Sequence, residues 1–173
     1  MSFSNLQVDI NSLPRADELS LTRLPEAYRR EIIAQSIITL GVLVLLSLIP
    51  QVITAIDPPQ RRLLLLWPAV ILIVGGLISV LMLIRYKHKG YAMRTHDIVF
   101  QSGLFWRKTT VLPFNRIQHA EVTHGPLQRR FGLATLKFFT AGGANVDLNI
   151  EGLDATEAEA LREEILRRSA NAR

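Results

Sequence analysis

No residue from Ile32 to Ile56 carries a charge, and none from Leu63 to Ile84 does either. These runs are 25 and 22 residues long. At about 1.5 Å of rise per helical residue each reaches roughly 33 to 37 Å. The hydrocarbon core of a bilayer is about 30 Å thick. The two runs are therefore read as transmembrane helices, about 32–56 and 63–84, and the rest of the chain must be arranged around them. Core helices of soluble proteins rarely go so far without a charge, so a buried helical pair is the weaker reading.

Between the runs lies Asp57-Pro58-Pro59-Gln60-Arg61-Arg62. An Asp cap followed by proline starts a helix well. The segment 25–89 is thus a helical hairpin, preceded by a polar tail over 1–24 and followed by a module over 90–173. Pro50 is expected to kink the first helix or to end it near Leu48. Gln35, Thr39, Ser47 and Thr54 put a polar stripe on the first span. Gly75, Gly76 and Ser79 put small side chains on the second, where another helix could approach closely. The first run begins too late for a cleavable leader, so it is expected to be retained.

Arg23, Arg29 and Arg30 precede the first span, and Arg85, Lys87, Lys89 and Arg94 follow the second. The turn holds only Arg61 and Arg62. The positive-inside tendency then places both termini in the cytoplasm of a multi-pass protein of the cell (inner or plasma) membrane. Arg29, Arg30, Arg85, Lys87, Lys89 and Arg94 serve either as this topology signal or as contacts to anionic headgroups. The net charge of +5 fits such flanks. Nucleic-acid binding would have to rest on Arg107, Lys108, Arg116, Arg129, Arg130 and Lys137, and no recognition motif accompanies them. No nucleic-acid partner is expected.

From Gly90 the texture turns to short β segments: 90–94, 98–102, 106–112, 117–123, 133–140 and 144–150. Pro113 stops the third. Pro126 to Phe131 reads as one helical turn ended by Gly132. Ala141-Gly142-Gly143 joins the last two strands as a hairpin turn. Val146, Leu148 and Ile150 face inward by strict alternation. The period then becomes helical. Asp154-Ala155-Thr156-Glu157 has the form of a capping box, with Ala158, Leu161 and Ile165 on one face. The fold class is a two-helix membrane hairpin plus an α+β domain, an antiparallel sheet or partly open barrel of about six or seven strands with one C-terminal helix.

Three segments carry a resemblance. They are Pro113 with Arg116-Ile117-Gln118, Leu127 with Arg129 and Gly132-Leu133, and Thr140 with the Gly142 turn. In this order, behind a membrane hairpin, they resemble the YdbS-like bacterial membrane proteins that carry a bacterial pleckstrin-homology (PH) domain. The resemblance implies a PH-like module. It brings no catalytic residues. Lipid-headgroup loops of eukaryotic PH domains are rich in Lys and Arg, and Arg94-Thr95-His96-Asp97 is not. Read directly, Arg116 and Gln118 would tie down the start of the next strand.

The chemistry-bearing residues form no catalytic constellation. There is no cysteine, which removes thiol catalysis and thiolate metal sites. His119 and Glu121 share a strand face, and the plainer reading is a solvated surface. No cofactor, metal or catalytic residue is expected. The expectation is a non-enzymatic membrane protein whose hairpin anchors the module for a partner protein or for the anionic membrane surface. Its partners would be membrane lipid, another membrane protein with a similar PH-like module, or a second copy. The alternatives are a subunit acting through helix packing, and a membrane-bound enzyme using His119 and Glu121.

Overall fold

The computed structural model describes residues 20–53, 58–140 and 147–171. Two long helices carry the uncharged runs: α1 (Glu26–Ile53) and α2 (Pro58–Tyr86). They have 28 and 29 residues, or roughly 42 Å each. Each therefore overshoots the hydrocarbon core. The excess of α1 is polar at its start, with Glu26, Arg29, Arg30 and Glu31. Within the spans most of the large aliphatic side chains described are exposed, as lipid-facing surface must be in a water-free environment. Pro50 does not end α1, which runs on to Ile53. The expected Asp57 cap lies outside the described residues.

The helices pair through a small residue. A Cβ at Gly75 would sit 2.1 Å from Cδ2 of Leu40, so Gly75 lets α1 and α2 close on each other. Gly76, one residue on, has nothing within 4 Å of its Cβ position. Ser79 turns its hydroxyl back to the Gly75 carbonyl at 2.7 Å. The small patch is thus divided: Gly75 is used inside the hairpin and Gly76 is open.

The module has two antiparallel sheets. The first has the order β1 (Thr22–Arg23), β2 (Gly90–Met93), β3 (Asp97–Ser102), β4 (Lys108–Pro113). The second has the order β5 (Ile117–Thr123), β6 (Leu133–Thr140), β7 (Leu148–Asp154). A 3₁₀ turn, Phe114–Arg116, passes the chain from one to the other. A short helix α3 (Pro126–Arg130) joins β5 to β6. The long helix α4 (Ala155–Asn171) packs across β5, β6 and β7. Ile98, Phe114, Ile117, Leu133, Leu136, Phe138, Ile150, Leu153 and Ile165 are buried in one continuous core between these layers. The sheets do not close into a barrel.

Three boundaries differ from the sequence-based expectation. Thr22 and Arg23 are not part of a tail, since they pair with Tyr91 and Gly90, and Leu24 enters the core. The strand expected from Trp106 begins at Lys108, leaving 103–107 as a loop. The last strand continues beyond Ile150 to Asp154, because β6 offers partners as far as Leu133 and a bulge at Ala134/Thr135 absorbs the twist. Gly142 and the 144–146 end of that strand lie outside the described residues. Asp154 does cap α4, accepting from the Thr156 amide at 3.0 Å and hydroxyl at 2.6 Å. Glu157 does not complete the capping box, because it accepts a hydrogen bond from the Tyr91 hydroxyl instead.

Candidate functional site: the junction of hairpin and module

Two tyrosines on the module-facing ends of the helices organise the joint. Tyr28 lies in the first turns of α1 and Tyr86 is the last residue of α2. Their rings meet edge to face at 5.7 Å. The Tyr86 hydroxyl donates to the Leu24 carbonyl at 3.0 Å, just before α1 begins. The Tyr28 hydroxyl donates to Glu151 Oε2 on β7 at 3.2 Å. Lys89 Nζ donates to the Tyr28 hydroxyl at 2.9 Å and to Glu151 Oε2 at 3.3 Å, and lies 5.2 Å from the Tyr28 ring centre. A single cluster thus ties both helix ends to the last strand of the module.

Gly152 makes the joint fit. Its φ of +78° is left-handed, and a Cβ there would lie 2.3 Å from Cγ of Tyr28. Only glycine tolerates both demands. The Tyr28 ring rests on the β7 backbone at this point and is buried with the core. Burial pushes the Lys89 ammonium pKa down, but the contacts with Tyr28 and Glu151 outweigh it and the net direction is up. Lys89 is therefore a charged structural tie. Its side chain is 18% exposed and engaged with Tyr28 and Glu151. Arg94 is also engaged, donating from Nη2 to Asp97 Oδ2 at 2.7 Å. Of the six basic flank residues, Arg29, Arg30, Arg85 and Lys87 remain exposed.

The motif residues hold turns. Gly132 ends α3 with φ +67°, and its carbonyl accepts from the Ala155 amide at 3.0 Å. Leu133 is buried. Leu127 is half-buried and Arg129 exposed. Thr140 uses its amide and hydroxyl on Asp147 Oδ2, at 2.8 and 2.6 Å, across the mouth of the last hairpin. Those bonds hold the Asp147 carboxyl below the usual range. Pro113 ends β4. Arg116 and Gln118 are exposed. The start of β5 is held by other groups: the Phe114 amide donates to the His96 carbonyl at 2.9 Å and the Ser169 hydroxyl to the Ile117 carbonyl at 2.9 Å. Ile117 itself is fully buried.

Beside the joint opens a cleft of about 1470 Å³ between the hairpin and the second sheet. Ile38, Leu43, Ile78 and Met82 line its hairpin side together with Gln35, Thr39 and Ser79, and Gln128, Arg130 and Lys137 line its module side. Glu31 reaches into it from α1. Gln128 is fixed by donating to Thr135 Oγ1 at 3.0 Å and accepting from the Gly125 amide at 3.0 Å. His119 and Glu121 are exposed on β5, with His119 tilted against Phe139 at 5.7 Å. Among the described residues no group of three or more His, Asp or Glu could hold a metal.

A membrane hairpin carrying two open antiparallel sheets and a C-terminal helix defines the class. The sequence model of the bacterial PH domain family matches residues 35–169, and the chain belongs to that family. The match takes in most of α1 and all of α2 as well as the module. YdbS, a transmembrane protein of Bacillus subtilis (strain 168), is 33% identical over 97 residues, which is 55% of this chain. The similarity spans only 59% of that relative's length. A solved protein of Shewanella loihica PV-4 with a pleckstrin-homology domain aligns at TM-score 0.38 and 16% identity, covering 47% of this chain and 70% of that one. That last likeness is too loose to bear on function.

Proposed function

We propose that the chain is a non-enzymatic protein of the bacterial cell membrane, with both termini in the cytoplasm, whose PH-like module docks a second membrane protein. The cleft carries this reading. Its hairpin wall is mainly aliphatic, with Gln35, Thr39 and Ser79 set among the aliphatic side chains, and its module wall is polar. An occupant complementary to both needs an apolar helix that continues into a polar segment at the membrane surface. The end of another protein's transmembrane helix has that form, whether the protein is a relative with a similar module or a second copy. The exposed Arg29, Arg30, Arg85 and Lys87 supply the positive flank that retains this side in the cytoplasm.

The chemistry supports a binding role. The histidines at 88 and 124 are tied to backbone carbonyls, Ile84 at 2.9 Å and Leu133 at 3.1 Å. Tyr28, Lys89 and Glu151 are spent on one another. The test is a photoreactive residue placed at Ile78 or at Gln128 in living cells, with Glu163 on the exposed face of α4 as control. The same discrete protein adduct is expected from both cleft positions and not from the control. Adducts to lipid alone would refute the docking.

A further inference from the structure

Large apolar side chains that are strongly exposed lie on α1 and α2, with three exceptions among the described residues: Phe105, Trp106 and Val111. All three sit on one hairpin, β3–β4. Phe105 is 78% exposed and Trp106 is 88% exposed, and the two rings touch edge to face at 6.5 Å. Arg107 and Lys108 follow directly, both exposed. An isolated apolar side chain on a surface calls for no explanation, but adjoining aromatics backed by two cations do.

The sheet register says where this tip lies. α2 ends at Tyr86 and β2 starts at Gly90. Gly90 pairs with Gln101, and Ser102 pairs with Lys108. The loop 103–107 therefore emerges at the same end of the sheet as the helices. β1, which leads into α1, pairs with this same end of β2. Two strand spacings of about 4.8 Å put the tip roughly 10 Å to the side of the α2 exit. Gly103 presents it: its φ is +113°, and a Cβ would strike the Trp106 carbonyl at 1.9 Å. The turn is thus closed tightly beneath the two rings.

We propose that the 103–108 tip is a third membrane contact, with Phe105 and Trp106 inserted at the interface of the leaflet from which the helices emerge and Arg107 and Lys108 on anionic headgroups. Aromatic rings of this kind favour the headgroup level, and each Lys or Arg near an anionic surface adds about 1 kcal/mol. The contact is continuous with the lipid-facing hairpin. Because the joint ties the module to the helix ends, a third contact off to the side limits the tilt of the whole unit against the bilayer plane. It requires only that the hairpin spans the bilayer, and it stands or falls separately from any docked protein.

The experiment uses the full chain with Trp67→Phe, so that Trp106 is the remaining tryptophan, in nanodiscs of phosphatidylcholine with phosphatidylglycerol. Lipids with brominated and with plain acyl chains are compared. The expected result is blue-shifted Trp106 emission that loses intensity with bromine. Arg107→Gln with Lys108→Gln should reduce that loss in the anionic discs and leave it unchanged in phosphatidylcholine alone. Water-like emission indifferent to bromine would overturn the proposal. Blue-shifted emission that ignores bromine and reverts on dilution into empty discs would also overturn it, in favour of contact with another copy.

Discussion

Gly152→Ala tests the joint most directly. The new methyl has two consequences. The backbone stays at φ +78°, which costs an L residue about 1 kcal/mol or somewhat more. The methyl also lies 2.3 to 2.6 Å from three carbons of the Tyr28 ring, and backbone on one side and a packed ring on the other leave no small adjustment. Tyr28 must leave its seat, forfeiting roughly 2 to 3 kcal/mol of burial. The total is about 3 to 4 kcal/mol, and it falls on the link between α1 and β7. In a Tyr28→Ala background the ring is gone, so the same substitution should cost only the φ term, about 1 kcal/mol. The coupling in the double-mutant cycle is then about 2 to 3 kcal/mol. Pulse proteolysis of the full chain in detergent micelles, over a urea series, reads each value. Additive costs for the two substitutions would refute the close contact of ring and strand.

Further outcomes follow from other parts of the molecule. Gly75→Ala should lower the thermal stability of the hairpin in detergent because its methyl meets Leu40, Leu40→Ala should restore much of the loss, and Gly76→Ala should be neutral; equal effects at 75 and 76 would contradict the helix pairing. Glu151→Gln removes the carboxylate shared by Tyr28 and Lys89, and because Glu151 is partly exposed the cost should be modest, about 1 kcal/mol by the same proteolysis. The Thr156 hydroxyl and amide hold the Asp154 carboxyl below its usual range. A depressed native value means its contribution is whole above the unfolded pKa of about 3.9 and disappears as pH falls through the lower native one. The Thr156 amide resonance should therefore titrate with a midpoint below about 3.9, and a midpoint at or above that value would remove the cap.

The hairpin and most strands were legible because their signals are local. Charge-free length identifies the helices whatever they pack against. Leu148 and Ile150 alternate with Asn149 and Glu151, and both are buried. The joint was not legible. Tyr28, Tyr86, Lys89, Glu151 and Gly152 come from three separate stretches, and no periodicity links them. Lys89 in particular reads as one more member of a basic flank, since its partner Glu151 lies 62 residues away. Gly152 sits in a β-rich segment where glycine ordinarily signals a break, and here it signals a ring lying on the backbone. Thr22 and Arg23 form a strand too short to show any pattern. Trp106 was absorbed into a strand by its β propensity, which hid the loop it occupies.

The joint also decides how movement of the helices reaches the module. Chain entering the membrane passes through β1 and Leu24, and chain leaving it passes through Lys89 into β2. Those two segments pair with each other, Thr22 with Tyr91 and Arg23 with Gly90. The module-facing ends of α1 and α2 are thus fastened to adjacent strands of one sheet, while Tyr28 fastens α1 to the other sheet through Glu151 and Gly152. A change in the spacing or tilt of the helices cannot be absorbed in a slack linker, because none is present between Tyr86 and Gly90: the amides of Lys87, His88 and Lys89 all donate back to α2 carbonyls at 3.1 to 3.2 Å. Such a change must shear β1 against β2 or pull Tyr28 from its seat on β7. A helix docking in the cleft would press on α1, on α2 and on the second sheet at once, so its binding energy would act on the same joint that sets the relative position of the two sheets.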